Sequence, residues 1–185
     1  MNVTERCVES YRKHKRLFTV GEELGIKWQT VYYHLRKAGE PVTGDKTRYG
    51  SKRDIFAAKS EDLFKELVPF ASSYNGRKFQ APYDFDVGGV KVEIKASSKR
   101  VDGWCFSLKK QSKIADLFVC FGYGPDRETV EACFVFPIEL VRSMQTLRVS
   151  TDAIGNPSGK WGEFQVAKSE LAEFFGDIIS LDQAS

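Results

Sequence analysis

Hydrophobic and polar positions recur along this chain in two rhythms, one helical and one of period two. Behind Thr4, a capping residue type, Val8 and Tyr11 recur at helical spacing and predict a first helix to about Lys15. Thr19-x-x-Glu22 reads as a capping box, and Val20 and Leu24 follow at i, i+4 until Gly25 permits a sharp turn. Trp28, Val31, Tyr32, Leu35 and Ala38 then predict the inner face of a third helix, which Gly39 ends. Glu40 to Ser51, with Pro41, Gly44 and Gly50, reads as a linker. Ser51-x-x-Asp54 predicts a further helix to about Val68, buried along Phe56, Leu63 and Leu67, with Glu61 beside that stripe. From Ala81 the rhythm changes to period two around Gly88-Gly89, which predicts a hairpin. Strands are expected at Trp104–Leu108, Asp116–Phe121 and about Ala132–Ile138. Val149–Gly162 reads as a long loop whose return is anchored by Trp161 and Phe164, and Ser169 caps a last helix through Phe175.

The outward face of the third helix carries Gln29, Thr30, Tyr33, His34, Arg36 and Lys37, with Lys27 just before it. Helix, glycine turn, helix is helix-turn-helix geometry. The stretch Leu24-Gly25-Ile26-Lys27-Trp28-Gln29-Thr30-Val31-Tyr32-Tyr33-His34-Leu35 resembles such segments of DNA-binding proteins, in which these polar groups reach base edges and phosphates. Charge agrees with it. The formal net charge is only +3, yet residues 1–53 hold 12 Lys/Arg against 6 Asp/Glu, and the rest of the chain is net acidic. His14 lies in the basic run Arg12-Lys13-His14-Lys15-Arg16, which suits phosphates or plain solvent.

Composition is globular, with 42% hydrophobic residues. No apolar run approaches the roughly 18 residues of a membrane span, and the polar start Met1-Asn2-Val3-Thr4-Glu5-Arg6 lacks a secretory apolar core. The four cysteines form no CxxC pair, so buried free thiols in a reducing, cytoplasmic setting are expected.

The chemistry concentrates in the hairpin. A two-residue Gly88-Gly89 turn pairs Val87 with Val90, Asp86 with Lys91, Phe85 with Val92 and Asp84 with Glu93. Asp84, Asp86, Lys91, Glu93 and Lys95 then share one face, while Phe85, Val87, Val92 and Ile94 enter the core. Carboxylates opposed at about 5 Å repel each other unless a divalent cation lies between them, and hard oxygen ligands suit Mg²⁺. A metal with an adjacent ammonium is the equipment of phosphodiester hydrolysis.

Asp84…Glu93-Ile94-Lys95 resembles the catalytic signature of the PD-(D/E)XK nuclease superfamily, and the segments after it resemble the later strands of its Mrr-like, resolvase-like and intron-associated members. Glu93-Ile94-Lys95 is the only acidic-x-Lys triplet in the chain. The likeness spans roughly residues 51–175. One departure is Pro82-Tyr83-Asp84, where Tyr83 separates the motif's proline from its acid and leaves Asp86 as a competitor; register favours Asp84.

The resemblance implies an α/β fold: a restriction-endonuclease-like core, a mixed sheet flanked by helices, over residues 46–185, preceded by a small all-α helix-turn-helix domain over residues 1–45. It implies an Mg²⁺-dependent endodeoxyribonuclease, with Mn²⁺ able to substitute. Asp84 and Glu93 would bind the metal, with the carbonyl of Ile94, and Lys95 would assist the attacking water. In resolvase-like members a further helical carboxylate joins them, here Glu61. The implied partners are double-stranded DNA and a second copy of the chain, with no membrane. Lys99 and Arg100, with Lys109, Lys110 and Lys113, would hold the DNA backbone. The alternatives are a four-way-junction resolvase, a non-catalytic DNA-binding regulator on a vestigial nuclease fold, and, below both, an RNA-acting nuclease.

Overall fold

The structure, a computed structural model, describes residues 2–40, 42, 51–74, 82–108 and 114–183. Most of the expected linker, and Lys109, Lys110 and Lys113, lie outside them. The chain divides into two compact units, Met1–Ile55 and Phe56–Ser185.

The first unit contains α1 (Val3–His14), α2 (Leu17–Leu24) and α3 (Trp28–Lys37). Asn2, not Thr4, caps α1: its side chain accepts from the Glu5 N–H while Glu5 accepts from the Asn2 N–H. Such a cap contributes about 1 kcal/mol. Thr4 instead bonds His34, with Oγ1 2.8 Å from Nδ1. Lys15 ends α1 in the left-handed region at φ 52° and turns the chain in one residue. That reversal starts α2 early, at Leu17, so Thr19 lies inside its first turn and no side chain caps it.

The α2–α3 turn depends on two glycines. Gly25 takes φ 68°, and a Cβ on Gly21 would stand 2.6 Å from the Ile26 carbonyl oxygen. Cys7, Tyr11, Val20, Val31 and Leu35 form the buried core. The inner face of α3 is narrower than its sequence suggests. Val31 and Leu35 are fully buried, but Trp28 (47% exposed) and Tyr32 (40%) stand at the surface. Three short helices enclose too little volume to bury the whole predicted face of one of them.

In the second unit, α4 (Lys52–Leu67), which begins in the first unit, is followed by five strands in one sheet: β1 (Ser72–Ser73), β2 (Phe85–Val87), β3 (Val90–Ser98), β5 (Leu117–Tyr123) and β6 (Val130–Pro137), in that order. The pair β3–β5 is parallel and the rest antiparallel, so the sheet is mixed. The Ser51/Asp54 cap forms as expected. The buried line of α4 runs through Ser60, Phe64 and Val68, with Phe56, Leu63 and Leu67 half-buried at its flanks.

The strand expected at Trp104–Leu108 does not join this sheet. It is β4 (Gly103–Ser107), and it pairs with β7 (Thr146–Ser150) in a separate two-stranded sheet. Between β6 and β7 lies the single-turn helix α5 (Ile138–Val141). The expected loop therefore begins only after Ser150. The last helix is longer than expected: a 3₁₀ turn at Lys168–Glu170 leads into α6 (Leu171–Gln183).

Both faces of the sheet are covered. On one, Val119, Phe121, Cys133 and Val135 meet Phe64 of α4 and Leu171 and Phe175 of α6. On the other, Phe118, Cys120, Phe134 and Phe136 meet Trp104, Phe106, Leu147 and Val149 of the small sheet. Double coverage explains why β5 and β6 are continuously apolar rather than alternating. Among the described residues no helix is long and apolar enough to cross a membrane.

Candidate functional site

The hairpin forms in the expected register, with Phe85 opposite Val92, Asp86 opposite Lys91 and Val87 opposite Val90. Gly88 and Gly89 both take positive φ in the turn. Asp86 is absorbed there, its carboxylate accepting from the Gly89 N–H at 2.9 Å. Asp84 lies one step beyond the strand. Its N–H still donates to the Val92 carbonyl, and its carboxylate accepts from the Ile94 N–H at 2.8 Å. That places the Asp84 carboxylate across the backbone of the residue following Glu93.

On β3 the two faces differ in kind. Val92 and Ile94 enter the core beneath the helices. Glu93, Lys95 and Ser97 point to the opposite face. There the register sets Glu93 beside Phe118 and Lys95 beside Cys120, both buried residues of β5. The structure thus inserts a carboxylate and an ammonium into an otherwise apolar layer. Their side chains are 12% and 16% exposed, and Lys95 Nζ donates to Glu93 Oε1.

Burial first, then the neighbouring Asp84 and, more weakly, Glu61 push the Glu93 carboxyl up and Lys95 pulls it down, with a net value of about 7. Three carboxylates therefore share one field. Glu61 comes from α4, half-buried, and the preceding Ser60 fixes that part of the helix. Ser60 is fully buried, its hydroxyl 3.1 Å from that of Tyr123 on β5. Ser97 was not singled out in the sequence. Its hydroxyl accepts from the Cys105 N–H at 3.0 Å and ties β4 to the charged face of β3. A polar third member of the series Glu93, Lys95, Ser97 was the available signal.

Divalent-cation chemistry fits this donor set: hard carboxylate oxygens in excess of local positive charge, one of them held at a raised pKa by burial and, next, by its acidic neighbours. Among the described residues no group of three or more His, Cys, Asp or Glu side chains is gathered closely enough to hold a metal ion by itself. Substrate oxygens or water would complete the coordination, as is usual for Mg²⁺.

The remaining expected contacts divide by their surroundings. Lys99 pairs with Glu131 at 2.8 Å and lies over the Trp104 ring, whereas Arg100 is exposed. In the first unit Lys27, Gln29, Thr30, Tyr33, Arg36 and Lys37 are all exposed, with Tyr33 at 61%. His34 is half-buried against Thr4. The basic run of α1 is partly engaged internally, by Arg12 with Glu40 at 2.8 Å and His14 with Glu23 at 2.7 Å.

The fold is similar to the solved structure of a bacterial homing endonuclease, with a TM-score of 0.50 at 15% sequence identity over 73% of this chain and 99% of that one. No protein-family model and no curated protein matches the sequence.

Proposed function

We propose that the chain is a metal-dependent DNA endonuclease of the PD-(D/E)XK type, guided by its N-terminal three-helix unit. The carrying observation is Glu93, a carboxyl buried in an apolar layer, within the electrostatic field of Asp84 and Glu61 and joined to Lys95. A buried ion pair is poor stabilising equipment, since well-packed apolar residues commonly do better. A perturbed carboxyl beside a lysine and two further acids is the arrangement of a working site. The fold shared with a homing endonuclease is compatible with it.

Asp84 and Glu93 would hold Mg²⁺ with the Ile94 carbonyl, and Glu61 would contribute from the helix side. When bound, the ion supplies polarisation of the phosphate and a lowered pKa for water. Lys95 orients the attacking water through its ammonium or neutralises charge developing on the phosphate. The Ile94 N–H fixes the Asp84 carboxylate, so this ligand is held in place before substrate arrives. The flanking Phe118 and Cys120 exclude solvent and strengthen these electrostatic contacts. The exposed polar face of α3 would hold double-stranded DNA through Gln29, Thr30, Tyr33, Arg36 and Lys37.

The test is incubation of the chain with genomic or plasmid DNA in Mg²⁺ or Mn²⁺, followed by sequencing of the ends. Ends bearing 5′-phosphate and 3′-hydroxyl, absent in EDTA, are expected. Tight duplex binding with no cutting in either metal would leave a DNA-binding regulator. Cutting confined to four-way junctions would make the protein a resolvase.

A further inference from the structure

We propose that the cavity between β4, β7 and residues 160–161 is a subsite for one unstacked nucleotide, its phosphate held by Arg100, Arg148 and Lys160 and its base laid against Trp161. The inference rests on the nucleic-acid reading above and extends it to how substrate is held beside the scissile bond. The cavity has a volume of about 250 Å³. That is just below the ~300–1,000 Å³ of drug-sized ligand pockets and suits one nucleotide rather than several.

Its lining is chemically specific. Arg100, Arg148 and Lys160 contribute three cations against one acid, Asp102. Among the described residues none of these cations is ion-paired, whereas Lys99 next to them is neutralised by Glu131. Trp161 is the aromatic wall. One side of its ring is braced edge-on by Phe136 (centroids 5.6 Å, planes at 88°), and Lys160 Nζ lies 5.4 Å from its centroid. Trp161 holds φ at +74°, a conformation that bulky residues rarely adopt. Such strain concentrates at ligand sites. Cations around a braced indole are how proteins hold single-stranded nucleic acid, by phosphate contact and base stacking.

The backbone is shaped around this space. Gly103 pairs with Ser150, and a Cβ there would stand 2.1 Å from the Val149 carbonyl oxygen, so only glycine lets β4 and β7 close at this end. The tight turn before it, with the Arg100 N–H donating to the Gly103 carbonyl at 2.8 Å, brings Arg100 back to the cavity. The location is also right. Cys105 lines the cavity and bonds Ser97, which follows Lys95 on the same face of β3. Residues two apart on a strand are separated by about 6.6 Å. The subsite is therefore tied, through Cys105 and Ser97, to the strand face that carries the candidate catalytic groups.

The test uses the full chain without metal, titrated with a short single-stranded deoxyoligonucleotide and with a blunt duplex while tryptophan fluorescence is followed. Quenching by the single strand is expected. Measured in a Trp28→Phe background, because Trp28 is exposed on α3, Trp161→Phe should abolish the quench. Arg148→Glu with Lys160→Glu, both at exposed positions, should weaken binding at least tenfold with the melting temperature unchanged. Single-strand affinity within twofold of wild type in that double variant overturns the subsite, and the nuclease reading survives if the variant still cuts. A quench retained in Trp161→Phe, or duplex binding with no single-strand quench, also overturns it. Should the chain never cut yet show this quench and its loss in the variants, the subsite stands and the nuclease reading falls.

Discussion

Glu93 occupies a position that packing alone would give to an apolar residue, between the core beneath the helices and the aromatic layer of the small sheet. Removing its charge-bearing partner Lys95, or its own carboxylate, should therefore strike chemistry before fold. Glu93→Gln and Lys95→Ala are expected to reduce cleavage by at least a thousandfold, a loss usual for groups acting in the transition state. Folding is to be checked by circular dichroism and DNA affinity by fluorescence anisotropy; activity within tenfold of wild type would remove the site. Asp84→Asn should be nearly as damaging, and Asp86→Asn close to neutral, because an asparagine oxygen can still accept from the Gly89 N–H. The raised Glu93 pKa adds a pH effect. Its folded value lies above the ordinary 4.5, so the group's contribution to stability is full below that value and is lost as pH rises through about 7. Magnesium binds the ionised form, so the gain in melting temperature on adding Mg²⁺ should be larger at pH 8 than at pH 6. An equal gain at both pH values would separate Glu93 from the metal.

Among the elements, the hairpin was the most legible, since two glycines fix a two-residue turn and alternation fixes the faces. The same rule put Asp84 opposite Glu93. The strand ends at Phe85, and the carboxylate crosses to the Ile94 N–H instead. Strand β7 was not legible: Thr146-Leu147-Arg148-Val149-Ser150 is short, and its partner β4 stands more than forty residues earlier. Without β7 the cavity beside Trp161 could not be seen, although Trp161 and Phe164 were correctly read as anchors. Helix starts misled in the first unit because the left-handed Lys15, which nothing in the sequence demands, resets the beginning of α2. Helix α3 yields its own test. Its exposed Arg36 and Lys37 should each neutralise about one phosphate, so Arg36→Ala with Lys37→Ala should lower the slope of log affinity against log salt by roughly 1.8. An unchanged slope would take α3 out of DNA binding.

At the scale of the whole molecule, charge division and architecture fit one another. A basic three-helix unit precedes a mixed-sheet unit whose fold a bacterial homing endonuclease shares. The covered sheet was implicit in the continuous apolar strands, but which strand leaves to form the second sheet depends on long-range pairing that local pattern does not encode. With one proposed site per chain, double-strand cleavage would favour a two-fold dimer on a roughly palindromic target. Light scattering of the DNA complex should then give two chains per duplex; a single chain that only nicks would contradict it.

The central claim is that Asp84 and Glu93 share one cation, and Mn²⁺ titration followed by electron paramagnetic resonance, with cutting assayed on the same samples, tests it most directly. One Mn²⁺ per chain is expected in the wild type, with binding lost in both Asp84→Asn and Glu93→Gln and with cutting lost in parallel. Full Mn²⁺ binding in either variant, or cutting that persists without it, would contradict the account.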